Sequence, residues 1–182
     1  YYNVEPDLCT FGKGMANGFS VAAVGGKREF MNVGGIKDLG AERVFLTSTT
    51  HGAEMCGMGA LVETIKFYKE HDVISHLWNY GTKLLTEMNN IAKELEIEDY
   101  FIASGIPCSP NYLTKDARGE TSMAFRTLFS QEMINNGVLM PWIALSYAHG
   151  EKEMEFTLEA VRKALIVYSN ALNDGVEKYL KG

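Results

Sequence analysis

Lys13 stands between two glycines, Gly12 and Gly14, at the end of the apolar run Leu8, Cys9, Thr10, Phe11. The surrounding stretch, TFGKGMANGFSVAAVGGK, covers residues 10–27. Three chemistries fit a lysine so placed: a surface charge at a turn, a phosphate ligand in a glycine-rich loop, or the amine of a covalent cofactor site. Glycines on both sides let other groups approach the chain closely. A lysine at a strand end beside small residues can be desolvated, which lowers its pKa and makes its amine a nucleophile. Most lysines are simply solvated, so this stretch alone leaves the three open.

A second cluster lies downstream. Thr47, Ser48, Thr49 and Thr50 form a run of hydroxyls ahead of Gly52 and a predicted helix, in the stretch LTSTTHGAE. Hydroxyls and helix N-terminal amides together bind anions, so the run can cradle a phosphate. The same residues serve equally as helix caps, with Glu54 assisting. Other motifs are weaker. Gly12, Gly14 and Gly18 are spaced GxGxxxG, no helical pattern opens after them, and Asp38 downstream does not rescue a dinucleotide fingerprint. A Walker A loop ends in its lysine, whereas Lys13 precedes the loop.

These residues need elements to hold them. Glu5-Pro6-Asp7 reads as a turn before a short strand at Leu8–Phe11, and FSVAAVGG as a second strand stopped by Gly25 and Gly26. VFLTSTT, residues 44–50, is a third β-like run. A helix is expected next, with Met55, Met58, Leu61, Val62, Ile65 and Tyr68 on its apolar face. Another is expected over residues 74–95, burying Leu77, Trp78, Leu84, Leu85, Met88, Ile91 and Ala92. The texture then changes. YFIASGIPCSPNYLT reads as short strands broken by prolines, SMAFRTLFSQEMINNG as a helix with Gly137 at C′, and VLMPWIALSYAH as strand-like around Pro141. A last helix follows Gly150, with acids in its first turn. The expected division is residues 1–95 and 96–182.

The 182 residues are 46% hydrophobic and 22% charged, as in an ordinary globular protein, with a net charge of -6. Acids and bases are interspersed, so no basic stripe marks a nucleic-acid surface, and no apolar run spans a bilayer. Cys9, Cys56 and Cys108 form no CxxC pair and read as reduced thiols of a cytoplasmic protein, with no secretory pattern beside them. The four histidines form no HExxH or Cys/His cluster, and His71 and His76 fall on different helix faces, so no metal site is expected. The chain opens at Tyr1 rather than methionine, in structured-looking sequence, and an upstream portion is expected.

Taken together, PDLCTFGKGMANGFSVAAVGG and FLTSTTHGAEMCGMGAL resemble the class III aminotransferases of the pyridoxal-phosphate fold-type I group. LFSQEMINNGVLMPWIALSYAHGEKEMEFTLEAVRKAL is similar to the C-terminal part of the glutamate-1-semialdehyde 2,1-aminomutase branch. The likeness spans nearly the whole chain but only the C-terminal part of such an enzyme. It implies an α/β fold: residues 1–95 as the end of the aspartate aminotransferase-like large domain with connecting helices, and 96–182 as a small α+β domain. It implies pyridoxal 5'-phosphate as cofactor, Lys13 as its Schiff-base lysine and later the proton-moving base, and a small-molecule amino donor and acceptor. Thr49, with Thr50 one position on, aligns with the threonine that reaches the phosphate across a homodimer interface. Asn17 and Gly18 would give the lysine a close, rigid setting.

The resemblance also implies that the aspartate on the pyridine nitrogen, the phosphate loop and the stacking aromatic lie upstream of Tyr1. Neither Glu5 nor Asp7 substitutes for that aspartate, so residues 1–182 are expected to hold half a cofactor site and to be inactive alone. PWIALSYAHG lacks the arginine with which many ω-aminotransferases grip a carboxylate, and Arg126 and Arg162 fall on predicted helices. STTHGAE, where the branch more often has TLSGNP, resembles relatives that aminate sugars or other surface-polymer precursors. The competing reading is a non-catalytic α/β interaction domain with a solvated Lys13 and a threonine run that only caps.

Overall fold

The computed structural model describes residues 1–33, 40 and 54–181. The chain divides into two compact units, Tyr1–His71 and Asp72–Gly182. The first holds strands β1 (Leu8–Phe11) and β2 (Ala23–Gly26) and helices α1 (Arg28–Val33) and α2 (Met55–Glu70). The strands pair antiparallel, with Leu8 opposite Gly26 and Phe11 opposite Ala23. β1 forms where the sequence puts it. β2 is shorter than the apolar run FSVAAVGG because pairing stops at Ala23, where the chain turns into the loop. The third β-like run, residues 44–50, lies outside the described residues.

α2 corrects one expectation. Its apolar face does not close a core within the described residues: Gly57 alone is buried, and Met55, Met58, Val62, Ile65 and Tyr68 are exposed.

The second unit has helix α3 (Val73–Glu94), strands β3 (Phe101–Ile106) and β4 (Ser109–Thr114), and helices α4 (Met123–Asn135) and α5 (Glu151–Asp174). α3 begins where Asp72 accepts the Ser75 N–H at 3.2 Å. Leu84, Met88, Ile91 and Ala92 recur at helical spacing and join one core cluster with Phe101, Leu128, Phe129, Val161 and Leu165. That packing places α3 within the second compact unit, which begins at Asp72: α3 buries its face with β3, β4 and α5. Leu77, Trp78 and Leu85 are only half-buried.

Two helices end in Schellman turns. After α4, Gly137 has φ 83°, and the Val138 N–H donates to Met133 O at 2.9 Å, as the C′ glycine predicts. After α3 the left-handed position is Glu96, φ 57°, with the Ile97 N–H donating to Ala92 O at 2.9 Å. β3 and β4 form one hairpin, Phe101 opposite Thr114. Its other flank is met by Asn89 of α3, whose side chain takes both the N–H and the carbonyl of Ala103 at 2.8 Å.

Residues 138–149 correct a second expectation, because no strand forms there. Pro141 has no N–H to give a ladder, and nearby carbonyls go elsewhere. Tyr112 Oη donates to Pro141 O at 3.4 Å, and Arg126 donates to Pro141 O at 3.3 Å and Tyr112 O at 3.0 Å. The Arg126 guanidinium also lies 4.3 Å from the Tyr112 ring centre, and Arg162 pairs with Glu94 at 2.6 Å, so both serve the fold.

Tyr168 is fully buried against Phe101 and Phe125. Its hydroxyl accepts the Lys115 N–H at 2.9 Å and faces Lys115 O at 2.6 Å and Tyr100 O at 3.1 Å. Burial pushes the phenol well above its ordinary value of 10.0. A raised folded pKa gives stability that is complete below the unfolded value and is lost as pH climbs past it. The Lys115 N–H also donates to Tyr100 O at 2.8 Å, so Tyr168→Phe strands chiefly Lys115 O and should lower the unfolding free energy by about 1–3 kcal/mol at neutral pH. Urea titrations from pH 7 to about 11 should show a steeper alkaline loss in the parent than in Tyr168→Phe; equal slopes would refute the assignment.

Candidate active site

The loop joining β1 to β2 is built on three left-handed residues. Lys13 has φ 52°, Asn17 has φ 47° and ψ 54°, and Gly18 has φ 110°. Asparagine and glycine visit this region readily, whereas lysine pays a steric penalty there. Between them runs a single 3-10 turn, Lys13–Ala16. The Met15 N–H donates to Gly12 O at 3.2 Å, the Asn17 N–H to Gly14 O at 3.2 Å, and the Phe19 N–H to Ala16 O at 3.3 Å. One tight turn is no helix N-terminus, so the dinucleotide reading of these glycines has no helix to rest on. Gly26 closes the far end of the hairpin. A Cβ there would stand 2.3 Å from Asp7 O, so no side chain fits.

The hairpin carries two lysines with different surroundings. Lys27 Nζ is paired with Asp7 Oδ1 at 2.6 Å, which settles Asp7 in a structural role. Lys13 is exposed, and its amine has no hydrogen-bond or ion-pair partner among the described residues. Where a Cβ of Gly14 or Gly18 would stand, no described residue lies within 4 Å. Lys13 thus presents an exposed amine from a defined backbone turn, with open room at the glycine beside it. Ala16 is the one buried residue of the turn, and Lys13 itself is exposed.

Thr49 and Thr50 lie outside the described residues. No group of three or more His, Cys, Asp or Glu among the described residues could hold a metal ion. No helix among them is long and apolar enough to cross a membrane.

The sequence model of the class-III aminotransferases matches residues 1–139, which include this loop. The chain belongs to the class-III aminotransferase family. It is 30% identical over 167 residues to the 3-aminobutyryl-CoA aminotransferase of Cloacimonas acidaminovorans, covering 90% of this chain and 38% of that protein. It is 28% identical over 200 residues to the glutamate-1-semialdehyde 2,1-aminomutase of Natronomonas pharaonis, covering 90% and 44%. The chain thus spans about two fifths of the curated relatives it matches. Its fold is that of solved transaminases. A transaminase with PLP bound superposes with a TM-score of 0.78 at 20% identity, over 95% of this chain and 40% of that one. The FumI protein of a Sphingopyxis species, in its PLP internal aldimine form, gives 0.74 at 23% identity, over 94% and 38%. The mixed α/β architecture expected for a class-III chain is therefore present, and the dinucleotide and Walker readings are set aside.

Lysine in the left-handed region is strained by about 1–2 kcal/mol. If the amine serves chemistry and not the fold, Lys13→Asn should leave the cofactor-free, full-length protein as stable as the parent or up to about 1 kcal/mol more so. Denaturant midpoints decide this, and a clear loss of stability would mean that Lys13 holds the hairpin together.

Proposed function

We propose that this chain is the lysine-bearing C-terminal part of a pyridoxal-phosphate-dependent enzyme that transfers amino groups between small molecules, as an aminotransferase or an aminomutase. The observation that carries the reading is Lys13: an exposed amine without a partner among the described residues, on a strained left-handed backbone inside the matched family segment. Pyridoxal phosphate, when bound, supplies an electron sink that stabilises negative charge on the substrate carbon. Lys13 Nζ would hold the cofactor covalently. Once displaced by the substrate's amine, it would be the base that moves the proton at the substrate α-carbon.

Thr49 is proposed to donate its hydroxyl to the cofactor phosphate of the other subunit in a homodimer, with Thr50 as the neighbouring candidate. Exposed Phe11, Phe19, Met55 and Val62 support further protein contact over the first unit. In the whole protein, residues 1–95 are assigned to the large domain with its connecting helices and 96–182 to the small domain. Three free cysteines support a cytoplasmic setting.

The test is covalent trapping. Full-length protein incubated with pyridoxal phosphate should turn yellow, and borohydride should fix the cofactor on the peptide containing Lys13. Fixation on a different lysine, or none, would sink the proposal and favour a non-catalytic domain. Thr49→Ala should weaken cofactor binding by roughly ten- to a hundredfold, the value of one hydrogen bond to a charged group, with Thr50→Ala nearer the parent. Equilibrium titration of the absorption band measures both. A larger effect at Thr50 would move the role by one residue.

A further inference from the structure

Helix α2 meets the lysine loop at a point where no side chain fits. A Cβ added to Gly57 would lie 2.8 Å from Val21 Cγ2 and 3.1 Å from Ser20 O, and Gly57 is the buried residue of the helix. Two residues on, Gly59 has no described residue within 4 Å of the same position. Glycine inside a helix is disfavoured against alanine, so Gly57 has a packing reason that Gly59 lacks. The contact leads straight to the lysine. Val21 faces Gly12 across the loop, its carbonyl 3.8 Å from where a Gly12 Cβ would be. Gly12 O in turn accepts the Met15 N–H that closes the turn around Lys13. α2 also packs on that turn, where Ala16 is 1% exposed.

We propose that Gly57 is a positioning residue for Lys13. Its bare backbone lets α2 press on Ser20 and Val21, and that pressure holds Gly12 and the 3-10 turn, so the amine keeps one direction. The inference rests on the reading of Lys13 as the cofactor lysine and adds a residue that acts through it. An alanine at 57 displaces the loop by a fraction of an ångström or more, whereas an alanine at 59 meets no described residue.

Full-length protein freed of cofactor serves for the test. Lys13 labelling by acetic anhydride is followed by mass spectrometry, amide hydrogen exchange is read over residues 12–22, and the rate at which added pyridoxal phosphate attaches to Lys13 is measured. Gly57→Ala should slow attachment by about tenfold or more, because bond formation suffers steeply from misplacement. It should also alter the labelling rate and speed exchange in the loop. Gly59→Ala should leave all three at parent values. Adding Val21→Ala to Gly57→Ala removes the closer clash and should restore attachment part-way. Val21→Ala alone, which inserts no atom, should loosen exchange over the same residues and keeps the test open if Gly57→Ala fails to fold.

A Gly57→Ala protein that labels, exchanges and attaches cofactor like the parent would overturn the proposal. So would equal effects at 57 and 59, which would point to helix α2 as a whole. Failure of the parent itself to take cofactor on Lys13 counts against the proposed function. A parent that takes it, beside an indifferent Gly57→Ala, counts against Gly57 alone.

Discussion

The left-handed backbone at Lys13 is the constraint from which the first unit is best understood. A side chain at φ 52° opposes folding by about 1–2 kcal/mol, and something must hold it there. The β1–β2 register fixes both ends of the loop, from Phe11 opposite Ala23 to Leu8 opposite Gly26. Asn17 and Gly18 turn the chain back at little cost, as their types allow. Three backbone hydrogen bonds of 3.2–3.3 Å occupy the space between. Strain at one residue is thus over-determined by its neighbours, the condition under which such conformations persist at functional sites.

The two units meet their polar and apolar needs differently. The second has a core of its own: Tyr168 closes backbone groups around Lys115, Asn89 occupies the flank of β3, and Phe101, Leu128, Phe129 and Met133 are fully buried. A two-stranded hairpin is marginal by itself, and these side chains are what make this one firm. The first unit leaves Leu8, Phe11, Phe19 and the apolar face of α2 exposed. Burial of apolar area at roughly 25 cal/mol per Å2 therefore favours further protein over this unit, while the second already holds its core.

How much of this was legible in the sequence follows the physics of each element. Helical periodicity located α3 and α5 closely, and a single glycine at 137 marked the end of α4, because both signals are local. The run VLMPWIALSYAH has β-like composition, but strands need a partner edge. Pro141 and the bonds from Tyr112 and Arg126 remove it, which no composition records. The type of Lys13 and its glycines were visible, and so was the family resemblance they carry. Its φ was not, since a lysine gives no warning of a left-handed backbone. Nor could EMCGMGAL say which glycine touches the loop. Gly57 and Gly59 differ only in what lies opposite them in space.

A lysine becomes a nucleophile when burial or a neighbouring cation disfavours its ammonium form. Lys13 is exposed, and Lys27, paired with Asp7, stands at the opposite end of the hairpin. What this hairpin supplies is direction and freedom from partners. Desolvation has to come from surface brought against the loop, and the exposed rings of Phe11 and Phe19, on either side of Lys13 in the chain, are suited to receive it. Positioning and activation are then separable properties of the same amine. The first is written into residues 8–26 and α2, and the second requires whatever covers them.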